Sequence, residues 1–164
     1  MSQLDAILGR PRRTPVRRPV GSALSYVEMF RAEPIKRIGM IKSGLRAAEA
    51  KRILADLAVT QAVAMQALNI SAATMNRKVR GEDRLPPAES ERVLGIARLV
   101  GQVQAIVEES GNPDGFDAAA WTSRWLSEPL PALGGARPLD LLDTMEGQAL
   151  VSSTLAHVQG GAYA

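Results

Sequence analysis

The chain lacks cysteine altogether, which excludes disulfide bonds, thiolate metal sites and cysteine nucleophiles. Aromatic residues make up only 4% of the sequence, so a core has to be built mainly from Leu, Val, Ile and Ala. Histidine occurs once, as His157, and metal-ligand spacing is absent. The apolar runs fall short of the roughly 20 residues that span a membrane, and the N-terminal arginines precede no apolar stretch. We therefore expect a soluble cytoplasmic protein with no membrane contact, metal or cofactor.

What is present is enough apolar sequence for a core, and an uneven distribution of charge. The 164 residues, 46% of them hydrophobic, suit one domain or two small helical modules that share a core. Residues 1–90 carry a formal charge of +8 and residues 91–164 carry −5, which together give the net +3. A basic half suits a polyanion, most simply nucleic acid. The alternative is that the asymmetry is accidental.

Residues 1–40 are predicted to form a flexible basic arm followed by a short helix. Proline and repelling charge both oppose a packed core, and the arm interleaves three prolines with five arginines, Arg10, Arg12, Arg13, Arg17 and Arg18. Such an arm could contact phosphates or enter a minor groove, or it could be a solvated tail. The helix is expected near Tyr26 to Arg31, ending at Pro34.

Beyond this arm the apolar residues recur with the period of an α-helix, and no segment alternates as a strand does. The first apolar face consists of Leu45, Ala48, Leu54 and Leu57. A long helix opens at Pro87, with a stripe at Val93, Ile96, Ala97, Val100, Val103 and Val107. The next helix is expected to carry Phe116, Trp121 and Trp125. The last should begin at Thr144 and bury Val151, Leu155 and Val158. The fold class is therefore all-α.

Residues 60–81, TQAVAMQALNISAATMNRKVRG, predict a helix-turn-helix unit. Asn69 holds the left-handed position of the turn, Ile70 fills the space between the helices, and Ser71 caps the second helix. That helix would lie in the major groove of DNA, with candidate DNA-binding residues Ser71, Thr74, Asn76, Arg77, Lys78 and Arg80. The alternatives are a three-helix core with a solvated basic face, or a unit kept for dimerisation.

A particular order of breaks and helix signals follows in residues 125–163. Prolines 129 and 131 and the pair Gly134-Gly135 separate a helix end from a second helix. This stretch resembles the C-terminal toxin-binding domain of the Xre/MbcA/ParS antitoxins. The matching residues are Trp125, Leu126, Pro129, Leu133, Gly134, Gly135, Pro138, Leu139, Leu142, Thr144, Gly147, Val151, Leu155, Gly161 and Tyr163.

The resemblance, looser over residues 45–107, implies a function. Members of this family pair with RES-domain toxins, which consume NAD, and carry an Xre-like helix-turn-helix that usually binds operator DNA. The implied toxin-binding residues are Trp125, Leu133 and His157, together with the tail residues Gly160, Gly161, Tyr163 and Ala164. The tail would reach the catalytic cleft of the toxin; the alternative is a frayed terminus.

Taken together, the sequence predicts a helix-turn-helix domain over residues 41–110, including a long connecting helix, and a toxin-binding domain over residues 111–164. The expected partners are a RES-domain toxin, operator DNA and a second copy of the chain. No arrangement typical of an enzyme is present, because His157 has no nucleophile beside it in a recognisable motif. The rival interpretations are a transcription regulator without a toxin, and a structural adaptor with a degenerate DNA unit.

Overall fold

A computed structural model describes residues 25–159. The described chain folds into α-helices joined by short loops, with two 3-10 turns at Pro131–Leu133 and Pro138–Leu141. The helices are α1 (Tyr26–Arg31), α2 (Pro34–Ser43), α3 (Ala47–Ala55), α4 (Gln61–Ala67), α5 (Ala72–Arg80), α6 (Pro87–Glu109), α7 (Ala118–Ser127) and α8 (Met145–Gln159). No strand forms between residues 25 and 159, where the one β contact is an isolated antiparallel bridge from Arg46 to Arg84. The all-α prediction is confirmed.

Helix α6 forms the centre of the fold, and α1, α2, α3, α7 and α8 all pack against it. The predicted stripe from Val93 to Val107 is buried as far as Val103, and Val107 is half-buried. Leu94, Leu99 and Gln102, on other sides of the helix, are buried as well. A helix that is apolar around most of its circumference belongs inside a protein. The long helix therefore serves as a shared core element for the N-terminal and C-terminal halves.

The N-terminal helix is where predicted, but Pro34 has a different role. Ser25 caps α1 through a reciprocal bond with Glu28, which is a capping box. Pro34 was expected to end this helix, and that expectation is wrong, because Pro34 is the first residue of α2. Proline suits that position since the first helical residues need no hydrogen-bond donor.

Three further sequence expectations are corrected. Phe116 lies before α7, which starts later because the Asp117 side chain caps it by accepting the Ala120 amide at 2.9 Å. Val158 is 42% exposed, so the buried side of α8 ends near Leu155. Ala48 is exposed as well. Helix α3 begins only at Ala47, and its buried row is Ala47, Ala50, Ile53 and Leu54.

Buried polar side chains fasten α8 to α6. Gln102 donates from Nε2 to the Ser152 carbonyl at 3.0 Å, and Ser152 Oγ donates back to Gln102 Oε1 at 2.8 Å. Gln148 Nε2 donates to the carbonyl oxygens of Arg92 at 3.1 Å and Leu142 at 2.9 Å. Because unpaired polar groups are costly inside a protein, these bonds fix the register between the two helices.

Tyr26 links α1 to the end of α3, and this bond makes stability depend on alkaline pH. Its hydroxyl donates to Asp56 Oδ2 at 2.5 Å, and burial followed by that bond raises the pKa of Tyr26 far above its ordinary value. Because the pKa of Tyr26 is higher in the folded than in the unfolded chain, the protonated hydroxyl stabilises the fold fully below the unfolded pKa of about 10, and this stabilisation is lost as pH rises further.

We expect Tyr26→Phe to reduce the fall in unfolding free energy above pH 10, measured by urea titration at a series of pH values. Parallel curves for both proteins would contradict this.

Candidate functional site

The helix-turn-helix predicted from the sequence is formed by α4, a short turn and α5. Asn69 has a left-handed backbone with φ of 53°, as expected. Ile70 is buried and its amide donates to the Met65 carbonyl at 2.9 Å. The hydroxyl of Thr60 accepts the Val63 amide, and that of Ser71 accepts the Thr74 amide, so a side chain caps each helix. The two helices both pack on α3, and the turn between them leads directly from the end of α4 into the capped start of α5.

The six candidate DNA-binding residues differ in how free their side chains are. Arg77 and Arg80 are exposed, and neither forms an ion pair within the described residues. Ser71 is also exposed, at the start of α5, while Thr74 is half-buried. The arginines project from the last turn of the helix, where cations also interact favourably with its dipole. They are therefore available to bind anions.

The other two candidates are held by the protein itself. Asn76 Oδ1 accepts a hydrogen bond from Lys51 Nζ on α3 at 2.9 Å. Lys78 Nζ donates to the Arg84 carbonyl at 3.2 Å. Bidentate reading of adenine by asparagine needs the amide oxygen as well as the nitrogen, so Lys51 competes with that role. Sequence reasoning missed Lys51 because the contact joins residues on different helices.

The aromatic residues of the C-terminal half form a ladder. The rings of Trp121 and Trp125 are stacked with centroids 6.2 Å apart, and Phe116 lies 6.4 Å from Trp121. Exposure rises along the ladder, from 9% at Trp125 through a half-buried Trp121 to the exposed Phe116. Trp125, a candidate toxin-binding residue, thus contributes mainly to packing, and Phe116 is the ladder residue that solvent reaches.

A compact reversal connects α7 to α8. Gly134 and Gly135 have φ values of 65° and 86°, which side chains oppose, so the glycine pair is required there as predicted. The Leu130 amide donates to the Ala136 carbonyl at 3.1 Å and closes the loop, leaving Leu133 half-buried. On its far side, the forked hydrogen bond from Arg137 lowers the pKa of Asp140. The reversal presents Leu133 at the edge of the C-terminal half.

Helix α8 presents an outward face with few charges. Thr144 caps the helix as predicted, with its hydroxyl accepting the Gly147 amide at 3.0 Å. Leu150 is 50% exposed and Met145 40% exposed. The exposed residues at helical spacing on this side are Met145, Glu146, Ala149, Leu150, Ser153, Ala156 and His157. We call this set the α8 outer face.

His157 lies at the far end of the α8 outer face. Its Nδ1 is 2.7 Å from the Ser153 carbonyl oxygen, one helical turn earlier. Among the toxin-binding candidates, His157 is exposed on α8, whereas Trp125 is buried on α7. The tail candidates Gly160, Gly161, Tyr163 and Ala164 lie outside the described residues.

Sequence reasoning missed Leu150 and Met145. The apolar spacing of the last helix was interpreted as a single buried row, although apolar residues also occur on its other side. When a helix has apolar residues on two sides, one row packs in the core and the other row remains exposed on the surface. That second row was the signal available in the sequence.

Neither a metal cluster nor a membrane span is found in the described part of the chain. No group of three or more metal-binding side chains comes together there. None of the helices from α1 to α8 has the length and apolar content that crossing a membrane requires. The end of α5 and the α8 outer face are the regions where the sequence-predicted sites have exposed binding groups.

Comparison with known proteins assigns a family to both halves. A family model described as an Xre-like helix-turn-helix domain of antitoxins matches residues 36–98, and one for the Xre/MbcA/ParS C-terminal toxin-binding domain matches residues 104–161. The chain is 55% identical over 140 residues to a "Prs ADP-ribosylating antitoxin" from Sphingobium sp., covering 85% of this chain and 88% of the relative. It is 29% identical over 105 residues to an "Antitoxin Xre" from Yersinia enterocolitica, covering 64% and 66%. The chain therefore belongs to the Xre/MbcA/ParS family of antitoxins.

Proposed function

We propose that this antitoxin neutralises a RES-domain toxin that consumes NAD, and that it represses its own operon by binding operator DNA. The antitoxin would act in the cytoplasm, as a homodimer, without catalytic activity of its own. Inhibition would be steric, by covering the substrate site of the toxin. The first half of this proposal depends on the C-terminal region, and the second half on α5.

The observation that carries the proposal is the α8 outer face, which lies in the segment matched by the toxin-binding model. Its exposed Leu150 and Met145 are surrounded by small residues, with Glu146 as the one carboxylate. Contact surfaces of proteins are depleted of charge at their centre and enriched in methionine and aromatic anchors. A surface of this kind suits a flat protein partner better than a small molecule.

The name of the Sphingobium relative supports an NAD-consuming partner. It contains the words "ADP-ribosylating", and the transfer of an ADP-ribosyl group uses NAD as the donor. This chain shares more than half of its aligned residues with that relative. A toxin partner that uses NAD therefore accords with the printed name of this relative.

The test is co-purification of the antitoxin with the RES-domain product of a neighbouring gene, followed by measurement of NAD consumption. Saturating antitoxin should abolish NAD loss by the purified toxin. Continued NAD consumption in a stable complex would contradict occlusion. Failure to form any complex would favour a regulator without a toxin partner.

Removal of residues 160–164 should weaken inhibition, because we propose that Gly160, Gly161, Tyr163 and Ala164 enter the toxin cleft. The aromatic ring of Tyr163, next to two glycines that leave the backbone free, suits a pocket that holds a nucleotide base. Truncation after Gln159 is expected to leave the complex intact while NAD consumption returns in part. Pull-down and NAD assay on the same samples separate the two effects. Full inhibition by the truncated chain would place the inhibitory contact elsewhere.

The DNA half of the proposal places the exposed end of α5 beside the phosphates of an operator. Arg77 and Arg80 would neutralise phosphates near the end of α5. Ser71 lies at the start of α5, where the free backbone amides of the helix can bind a further phosphate. Helix-turn-helix readers usually engage two half-sites as dimers, which supports two copies per operator.

Replacement of both arginines, Arg77→Gln and Arg80→Gln, should reduce operator affinity and make it less sensitive to salt. Log affinity falls with log salt, and each lost phosphate contact makes this slope shallower by about 0.9, so the slope should become shallower by about 2. Fluorescence anisotropy over a range of salt concentrations measures it. Neutralisation of the toxin should be unchanged, and its loss would contradict the division between the two surfaces.

A further inference from the structure

An open groove lies beside the end of α5, between α2, the start of α3 and the segment around Arg84. Its volume is about 410 Å³. Its lining includes the charged residues Lys36, Arg46, Glu49 and Arg84, and we call it the basic groove. The Arg84 carbonyl accepts the hydrogen bond from Lys78 Nζ, so this basic groove adjoins the last turn of the recognition helix.

The basic groove concentrates positive charge that the fold does not neutralise. Three of its residues, Lys36, Arg46 and Arg84, are cations, against the single carboxylate of Glu49. None of the three cations forms an ion pair within residues 25–159. Arg84 Nη1 donates to the Gly44 carbonyl at 2.7 Å, which orients its guanidinium at the groove.

The pairing of two arginines is the most informative part of this arrangement. Arg46 and Arg84 occupy opposite positions of the isolated antiparallel bridge. Their amide neighbours are bonded across it, from Leu85 to the Leu45 carbonyl at 2.8 Å and from Ala47 to the Asp83 carbonyl at 2.9 Å. Like charges directly opposite one another destabilise a strand pair. An anion between the two arginines would reverse the sign of this contribution.

The backbone adds to the positive potential. Arg46 is the N-cap residue of α3, and no side chain caps the first turn of that helix. The helix dipole is positive at this end, so it acts in the same direction as the three cations. This effect is secondary to the side-chain charges, because it acts only over the first turn.

We propose that the basic groove binds a backbone phosphate of duplex DNA, as an anchor separate from the phosphates contacted by α5. This inference rests on the proposed DNA-binding function and adds a second contact region to it. Flexible cations without neighbouring side-chain amides suit phosphate oxygens rather than base edges, so the groove contributes affinity and orientation without reading sequence. The bond from Lys78 to the Arg84 carbonyl makes the groove a neighbour of α5, so one duplex can contact both.

The test is Lys36→Gln with Arg46→Gln in the full chain, measured against a duplex from upstream of its own gene. Arg84 is left unchanged because its guanidinium bonds the backbone. We expect an affinity loss of about tenfold at low salt and a slope of log affinity against log salt that is shallower by about 1. A duplex of unrelated sequence should lose affinity by the same factor, since phosphate contacts carry no sequence information.

A matched control changes the net charge equally on the other half of the protein. Arg124→Gln with Arg137→Gln removes two exposed cations of the toxin-binding domain, and its salt slope should equal that of the unaltered chain. Glu49→Gln offers a test of opposite sign, with an expected gain in DNA affinity. Glu146→Gln on α8 is its control and should have no effect. Thermal unfolding verifies that each variant is folded.

An unchanged salt slope in the groove variant, beside a reduced slope in the Arg77 and Arg80 variant, would overturn this inference alone. Tighter binding of single-stranded RNA than of duplex would also overturn it. Failure of the unaltered chain to bind any duplex would overturn the DNA-binding proposal and this inference with it. A slope change confined to the operator sequence would refute the assignment to a phosphate.

Discussion

Replacement of Leu150 with aspartate is expected to abolish neutralisation of the toxin at antitoxin concentrations that suffice for the unaltered chain. Leu150 is the most exposed large apolar residue of the α8 outer face, with half of its surface in solvent. At the dry centre of an interface a carboxylate loses its hydration without a partner, which costs far more than the lost apolar contact. A loss of at least about 2 kcal/mol, or roughly 30-fold in affinity, should follow.

The matched control is Ile35→Asp. Ile35 lies on α2 in the other half of the molecule and is 76% exposed, so the same chemical change there has a similarly small effect on folding. Titration calorimetry of the complex and the NAD assay should both distinguish the two variants. If Leu150→Asp inhibits the toxin as well as Ile35→Asp does, the α8 outer face is not the contact surface.

Replacement of Gly147 with alanine should cause a large loss of stability, although alanine is the better helix former. A Cβ atom at this position would overlap the carbonyl oxygen of Leu141, which belongs to the backbone of the second 3-10 turn. It would also crowd the Thr144 hydroxyl that caps α8. Overpacking against backbone costs about 2–3 kcal/mol, which exceeds the gain of about 1 kcal/mol in helix propensity.

Gly39 provides the opposite case in the same protein. It lies in the middle of α2, and a Cβ atom there would meet nothing within 4 Å. Gly39→Ala should therefore raise the unfolding free energy by about 0.5–1 kcal/mol. In thermal unfolding, the net loss of about 1–2 kcal/mol in Gly147→Ala should lower Tm by about 2–8 °C, while Gly39→Ala raises Tm slightly. A similar small rise for both would mean that α8 moves easily away from the turn.

Local signals in the sequence were sufficient for the helix-turn-helix. Thr60, Asn69 and Ser71 act through bonds and backbone angles within a few residues, so their roles could be inferred without knowing the fold. The resemblance over residues 125–163 likewise gave the family, because its prolines and glycines fall at fixed offsets. Pro34 misled the prediction, since proline suits both the end of one helix and the start of the next.

Contacts between distant parts of the chain were not predictable in this way. The hydrogen bond from Lys51 to Asn76 joins α3 to α5. Arg46 and Arg84 form a bridge although α3, α4 and α5 lie between them in the sequence. The exposure of Leu150 depends on which side of α8 meets α6, and its apolar residues fit either orientation. Each of these features is fixed by packing, and a pattern along one helix does not contain that information.

The central position of α6 has a consequence for how such antitoxins can diversify. Its surface is enclosed by helices from both ends of the chain, so neither half retains a complete interior without it. Recombination that exchanges a toxin-recognition module between relatives would have to preserve α6, or replace the helices that pack on it from both halves at the same time. Inheritance of DNA preference and toxin preference as a linked pair is the result we expect from such an architecture.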